Sequence, residues 1–306
     1  KFKKIIADLV TDVQKGNALS EAMKSYPRTF SPLFIAMVRV GEETGSLSES
    51  LSLVADQLEK DHKLVKKVKG AMIYPAIVVF AMLVIGIFMF IYVVPTLTST
   101  FSELGVDLPI TTRTIIFVSN FMIERTVLMF FLVLILAVLA TMSIKTKIGK
   151  NILDYIFVHM PIISPIVKKM NSSRTTRTLS SLLGSGVNVV EALTITENVL
   201  QNHLYKNVLE EAKAKTQKGE PLSDAFKKAS GLFPILVGEM MSVGEETGEL
   251  SKMLERLATF YEEEVAEATK DLSTVVEPIL MLVIGGGVGF FAISMISPMY
   301  TMMSGI

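Results

Sequence analysis

The 306 residues carry 30 basic and 30 acidic side chains, and half of the residues are hydrophobic. A neutral total says nothing about nucleic acid by itself, but the lysines form no strongly basic region, so nucleic acid is not expected as a partner. The complete absence of cysteine excludes disulfides, thiolate metal sites and cysteine nucleophiles, and the positive mean hydropathy points to membrane spans.

Residues 1–70 read as a first helical domain, in which Leu47, Leu51, Val54 and Leu58 recur at the spacing of one helix face. Residues 71–94 are uncharged and long enough to cross the roughly 30 Å of bilayer hydrocarbon as a helix. A connection, 95–125, leads to a second uncharged span, 126–144. Residues 145–274 form a second helical domain, 275–297 a third span with Glu277 near its start, and 298–306 a tail. Lys60, Lys63, Lys66, Lys67 and Lys69 precede the first span, and Lys145, Lys147 and Lys150 follow the second. The connection between those spans holds Arg113 and Arg125 as its basic residues. The positive-inside rule therefore places both domains in the cytoplasm and the connection and C-terminal tail outside. The expected fold is all-α: two repeated cytoplasmic helical bundles plus three transmembrane helices, in a multi-pass membrane protein.

A shift of 203 residues aligns the chain with itself without a gap. Gln14-Lys15-Gly16 falls on Gln217-Lys218-Gly219, and Val40-Gly41-Glu42-Glu43-Thr44-Gly45 on Val243-Gly244-Glu245-Glu246-Thr247-Gly248. The register holds through Pro75 and Pro278, Gly86 and Gly289, Pro95 and Pro298. Lys1 meets Leu204, so the first copy lacks a counterpart of Thr175 to His203; a truncated first domain, in a protein starting at least about thirty residues earlier, is expected. The middle span is the extra piece that returns the second copy to the side of the first.

The doubled acid turn, Gly41, Glu42, Glu43, Gly45 and Gly244, Glu245, Glu246, Gly248, admits two functions. The carboxylates bind a cation or a basic partner surface, or the turn is a fold requirement in both copies. In the second case the first glycine ends a helix left-handed, the last frees the turn, and the acids favour the start of the following helix. Gly285 to Gly289 superficially resembles a phosphate loop but lies in mid-span without a lysine, so close helix packing through Gly285 and Gly289 is expected instead. Glu277 is an intramembrane contact or a headgroup-level carboxylate, with Pro75 and Pro278 as further intramembrane candidates. No phosphate-binding Gly-Lys-Ser/Thr string occurs, and His62, His159 and His203 lack metal-ligand spacing. No cofactor, metal or enzymatic activity is expected; a small-molecule transporter is the alternative function.

Two helical domains, each with a Gly-Glu-x-x-Gly turn, a following amphipathic helix and a proline-bearing span, resemble the type II secretion system F family. The string from Arg174 to Leu193, Arg-Thr-Thr-Arg-Thr-Leu-Ser-Ser-Leu-Leu-Gly-Ser-Gly-Val-Asn-Val-Val-Glu-Ala-Leu, is similar to the start of that family's domain. The resemblance implies a platform in the bacterial inner membrane that contacts a cytoplasmic hexameric ATPase, pilin or pseudopilin subunits and other inner-membrane assembly proteins. Membrane lipid and a homo-oligomeric state complete the expected partners.

Overall fold

The structure, a computed structural model, describes residues 2–103 and 108–304. Residues 104–107 of the expected external connection and 305–306 of the tail lie outside the described residues. Every regular element among the described residues is helical, so the chain is all-α. The helices are α1 (Phe2–Gln14), α2 (Leu19–Lys24), α3 (Pro32–Thr44), α4 (Leu47–Ala71), α5 (Ile73–Phe88) and, after a π-helical turn at Met89–Val93, α6 (Val94–Glu103). They continue with α7 (Ile110–Glu124), α8 (Thr126–Lys145), α9 (Lys147–His159), α10 (Ser164–Gly184), α11 (Val189–Val199), α12 (His203–Gln217), α13 (Ser223–Lys228), α14 (Ile235–Thr247) and α15 (Leu250–Ser304).

Local chemistry sets many of these ends. Pro32 opens α3, where Ser31 Oγ accepts from Phe34 N at 3.2 Å. Asn188 and Asn202 cap α11 and α12 in the same way, accepting from Val190 N and Leu204 N at 2.9 Å. The chain divides into two compact units, Lys1–Val68 with Lys150–Thr269 and Lys69–Gly149 with Lys270–Ile306.

The first unit has two cores. The larger is built from α10 to α15, around Leu193, Tyr205, Leu209, Phe226, Phe233, Met241 and Leu254, and takes in Leu33 and Met37 of α3. Phe233 meets Tyr205 and Phe226 edge-on, at centroid distances of 5.0 and 4.9 Å. The smaller is made by α1 to α3 from Leu9, Ala22, Met23, Ile35 and Val38. Shifted by 203, α1 to α4 fall on α12 to α15, and the left-handed glycines follow: Gly16 (φ 91°) with Gly219 (80°), Gly45 (70°) with Gly248 (72°).

The second unit holds α5 to α8 and the end of α15, with Val94, Phe101, Ile115 and Met295 at its core. Two helical stretches are long and apolar enough to cross a membrane, Leu47–Glu103 and Leu250–Pro298. The expected second span, 126–144, is the 20-residue helix α8. The connection 95–125 is largely helical: α6 and α7 occupy most of it, because Thr112, Ile115 and Ser119 make one buried helix face. The stretch 275–297 is part of α15, which runs 55 residues from Leu250 through Pro278 without a break, whereas α4 and α5 part at Met72, three residues before Pro75.

Candidate functional site

The acid turns are built alike in both copies. Glu42 accepts the amides of Leu19 at 2.5 Å and Ser20 at 3.0 Å; Glu245 accepts those of Leu222 at 2.7 Å and Ser223 at 3.1 Å. Each carboxylate therefore caps the start of a helix some 22 residues upstream, not the following helix as its sequence position suggests. The glycine roles are also exchanged. Gly41 and Gly244 sit inside α3 and α14, where an added Cβ would lie 2.8 Å from the Cα of Leu47 or Leu250, and it is Gly45 and Gly248 that end those helices left-handed. Burial works against the charge on Glu42, but the hydroxyl and amide of Ser20 and the amide of Leu19 together outweigh it and hold the carboxyl below its ordinary value. Glu43 is exposed, and Glu246 lies 3.5 Å from Ser242 Oγ. No group of three or more His, Asp or Glu side chains gathers as a metal site among the described residues.

The two copies meet in the first unit along α10, whose buried hydroxyl-rich face fits between α4 and α15. Gln57 of α4 donates to Thr178 Oγ1 at 3.5 Å and accepts from Ser181 Oγ at 3.1 Å. Arg174 holds Asp61 through two hydrogen bonds, at 2.6 and 3.3 Å, and Arg39 of α3 reaches Glu191 of α11 at 2.8 Å. Toward α15, Arg177 grips Glu262 at 2.7 and 2.9 Å and Lys169 pairs with Glu264 at 2.6 Å. Ser180 and Ser251 exchange hydroxyl-to-carbonyl hydrogen bonds at 3.1 Å, and a Cβ added at Gly184 would lie 3.0 Å from Ser251 Oγ. Beside this seam opens a polar cleft of about 390 Å³, bordered by Ser46, Asp56, Lys60, Ser185 and Glu255. These seam residues escape a motif search; the arginines three apart in Arg174-Thr-Thr-Arg177 are the one signal in the sequence, two cations sent from one helix to two neighbours.

In the second unit the repeat-equivalent prolines have a common device. Pro298 has no N–H for the carbonyl of Ser294, and Thr112 Oγ1 donates to that oxygen at 2.5 Å. Before Pro95 the helix is π-wound, Val94 N reaching Met89 O, so the carbonyl Pro95 leaves free is that of Phe90; Ser119 Oγ donates to it at 2.5 Å. Thr112 and Ser119, seven residues apart on α7 and fully buried, thus satisfy both orphaned carbonyls from one helix face. An apolar groove of about 510 Å³ lies between α5 and α15, lined by Ile85, Gly86, Phe90, Ile284, Gly287 and Phe291. It is Gly287 that faces this groove. Around Gly285 and Gly289 nothing among the described residues approaches within 4 Å of a Cβ position, so the expected close packing through this pair is not seen among them. Glu277 is exposed on α15 next to Pro278, which is exposed too, while Pro75 is buried in the first turn of α5.

The profile of the family described as type II secretion system (T2SS), protein F, matches residues 1–95 and 175–298. The chain belongs to that family. Both matched stretches end on the stapled prolines, Pro95 and Pro298, and the second begins at Thr175 in the middle of α10. The type IV pilus assembly protein PilC of Thermus thermophilus is 35% identical over 300 residues, covering 98% of this chain and 74% of its own length. The type II secretion system protein F of Xanthomonas campestris is 31% identical over 306 residues, covering 100% of this chain and 75% of its own length. PilC of Myxococcus xanthus is 30% identical over 305 residues, at 100% and 73%.

Proposed function

We propose that this F-family chain is an inner-membrane platform protein of a type II secretion or type IV pilus machine. It couples a cytoplasmic hexameric ATPase to the polymerisation of pilins or pseudopilins. The observation that carries this proposal is the doubling itself: each family stretch runs from helices closed by a Glu42-type cap, through an apolar helix, to a proline stapled by α7. With α8 as a third span, both helical bundles fall on the lysine-rich, cytoplasmic side and the α6–α7 segment and C-terminus outside. The least exposed ion-pairing cations of the first unit, Arg174 and Arg177, are engaged with Asp61 and Glu262 in holding helices together. That arrangement suits a body which transmits force, and the chain carries no reaction of its own.

Topology and filament assembly test this together. Single cysteines placed in residues 20–60 and 180–260 of the cysteine-free chain should react with an impermeant reagent only when the cytoplasmic face is opened. A chain deleted for residues 164–247 should still insert into the membrane but support no filaments and no cross-link to the ATPase. Labelling of the two regions from opposite faces, or filaments persisting without the second bundle, would refute the platform function.

A further inference from the structure

The chain leaves α8 at Lys145 and starts α9 at Lys147, with Thr146 alone between them. At 100° per residue, Ile148, Ile152, Tyr155, Ile156 and His159 fall within about 100° of arc on α9, and Lys147, Lys150 and Asp154 fall on the other side. The structure treats the two sides differently. Asp154 accepts the backbone amide of His203 at 3.0 Å and contacts its Nδ1 at 3.0 Å, Asn202 Nδ2 donates to the Asp154 carbonyl at 3.2 Å, and Val158 is 2% exposed in the larger core. One side of α9 is thus fastened to the start of α12. The other is bare: Ile148 is 75% exposed, Ile152 54% and Tyr155 57%, and the turn that follows adds Met160 and Ile162 at 39% and 41%.

A helix fastened on one side, with a continuous apolar stripe left open on the other, has a missing neighbour. We propose that the neighbour is the bilayer: α9 lies along the cytoplasmic membrane surface, its stripe sunk to the level of the upper acyl carbons. This rests on α8 being a membrane span, as in the proposed function. Two observations favour lipid over a protein partner. The stripe begins two residues after Thr146, so its first turn starts at headgroup depth whatever follows. Lys147 and Lys150 lie on the polar side of the same turn, opposite the stripe, the arrangement of a basic amphipathic helix lying on an anionic surface. The consequence for the machine is a second anchor for the second bundle, which is then held at its α12 end by a surface helix as well as by α15.

The chain has no tryptophan, so single tryptophans report position without background. The full chain is reconstituted in vesicles of phosphatidylglycerol and phosphatidylethanolamine containing phosphatidylcholine brominated near the glycerol end of its chains. Ile152→Trp should lose most of its emission to the brominated lipid, be blue-shifted, and resist aqueous iodide. Ala214→Trp, exposed on α12, should show the reverse, and Phe80→Trp, at a position 68% exposed on α5, should be quenched by lipid brominated deeper in the chain. Tyr155→Trp, aromatic for aromatic, repeats the test if the first variant inserts poorly. Iodide quenching at residues 152 and 155, or shielding from both quenchers as a protein contact would give, overturns the proposal while Phe80→Trp remains in lipid. If Phe80→Trp is itself open to iodide, the membrane assignment falls first, and this inference with it.

Discussion

The two copies share their turns but not their cores. Tyr205 and Leu209 on α12 are 0% exposed, whereas their counterparts on α1, Phe2 and Ile6, are 59% and 42% exposed. Tyr261 on α15 is 3% exposed and its counterpart Leu58 on α4 44%. The difference lies in what covers them. In the second copy α10 and α11 close over α12 and α15, whereas among the described residues α10 covers one side of α4 and no such pair lies over α1, and α3 turns Leu33 and Met37 into the larger core instead. A shared capping carboxylate and shared left-handed glycines therefore fix the path of the chain, and burial is decided separately by whichever helices lie on top.

The largest test of that contrast is a pair of matched truncations. Phe233 is fully buried between two aromatic rings, so Phe233→Ala should cost about 3–5 kcal/mol. Phe30, its counterpart, is half-buried against the small core and Phe34, and Phe30→Ala should cost roughly 1–2 kcal/mol, in proportion to the apolar area withdrawn from water. Denaturation midpoints of the two variants in detergent check this. Equal losses would break the claim that the copies differ in core strength.

The stapled prolines extend the comparison into the second unit, where the copies are treated alike. Thr112→Val strands the carbonyl of Ser294 and Ser119→Ala that of Phe90, each a buried acceptor left unpaired at a cost of about 1–3 kcal/mol. Both should lower the thermal midpoint by similar amounts. A loss confined to Thr112→Val would mean that the π turn before Pro95 re-forms and that the two prolines are not equivalent.

Helical class, duplication and apolar stretches are legible in the sequence because they are written in spacing. The roles within the acid turn are not. Glu42 acts on the amides of Leu19 and Ser20, and a backbone amide leaves no mark in a sequence. Nor does the pattern Gly-Glu-Glu-Thr-Gly reveal which glycine adopts φ 70° and which instead lets Leu47 approach; only the helix extending through Gly41 separates them. The staple is hidden for a different reason. Thr112 and Ser119 lie in the segment that has no repeat partner, between two apolar helices, where two hydroxyls look like chance until the missing N–H groups of Pro95 and Pro298 are set beside them. The seam is similar: hydroxyls of α10 that suggest an exposed helix are buried because their partners, Gln57 and Ser251, come from helices far away in sequence.

The smallest expected effect concerns Glu42 and acid. Its carboxyl is held below its ordinary value in the folded chain, so the unfolded chain takes up a proton first as pH falls from about 4.5. The contribution of Glu42 is therefore complete above that pH and is lost as pH drops through the folded value; above neutrality it does not change. Glu42→Gln keeps one acceptor for the amides of Leu19 and Ser20 but cannot titrate. Its midpoint at pH 7 should be lower than that of the parent, and the gap should narrow on acidification below pH 4.5, most visibly for a fluorescent probe placed near α2 in the small core. Parallel acid limbs in parent and variant would show that the amides hold the side chain without depending on its charge, and the cap would then be geometric in the first copy.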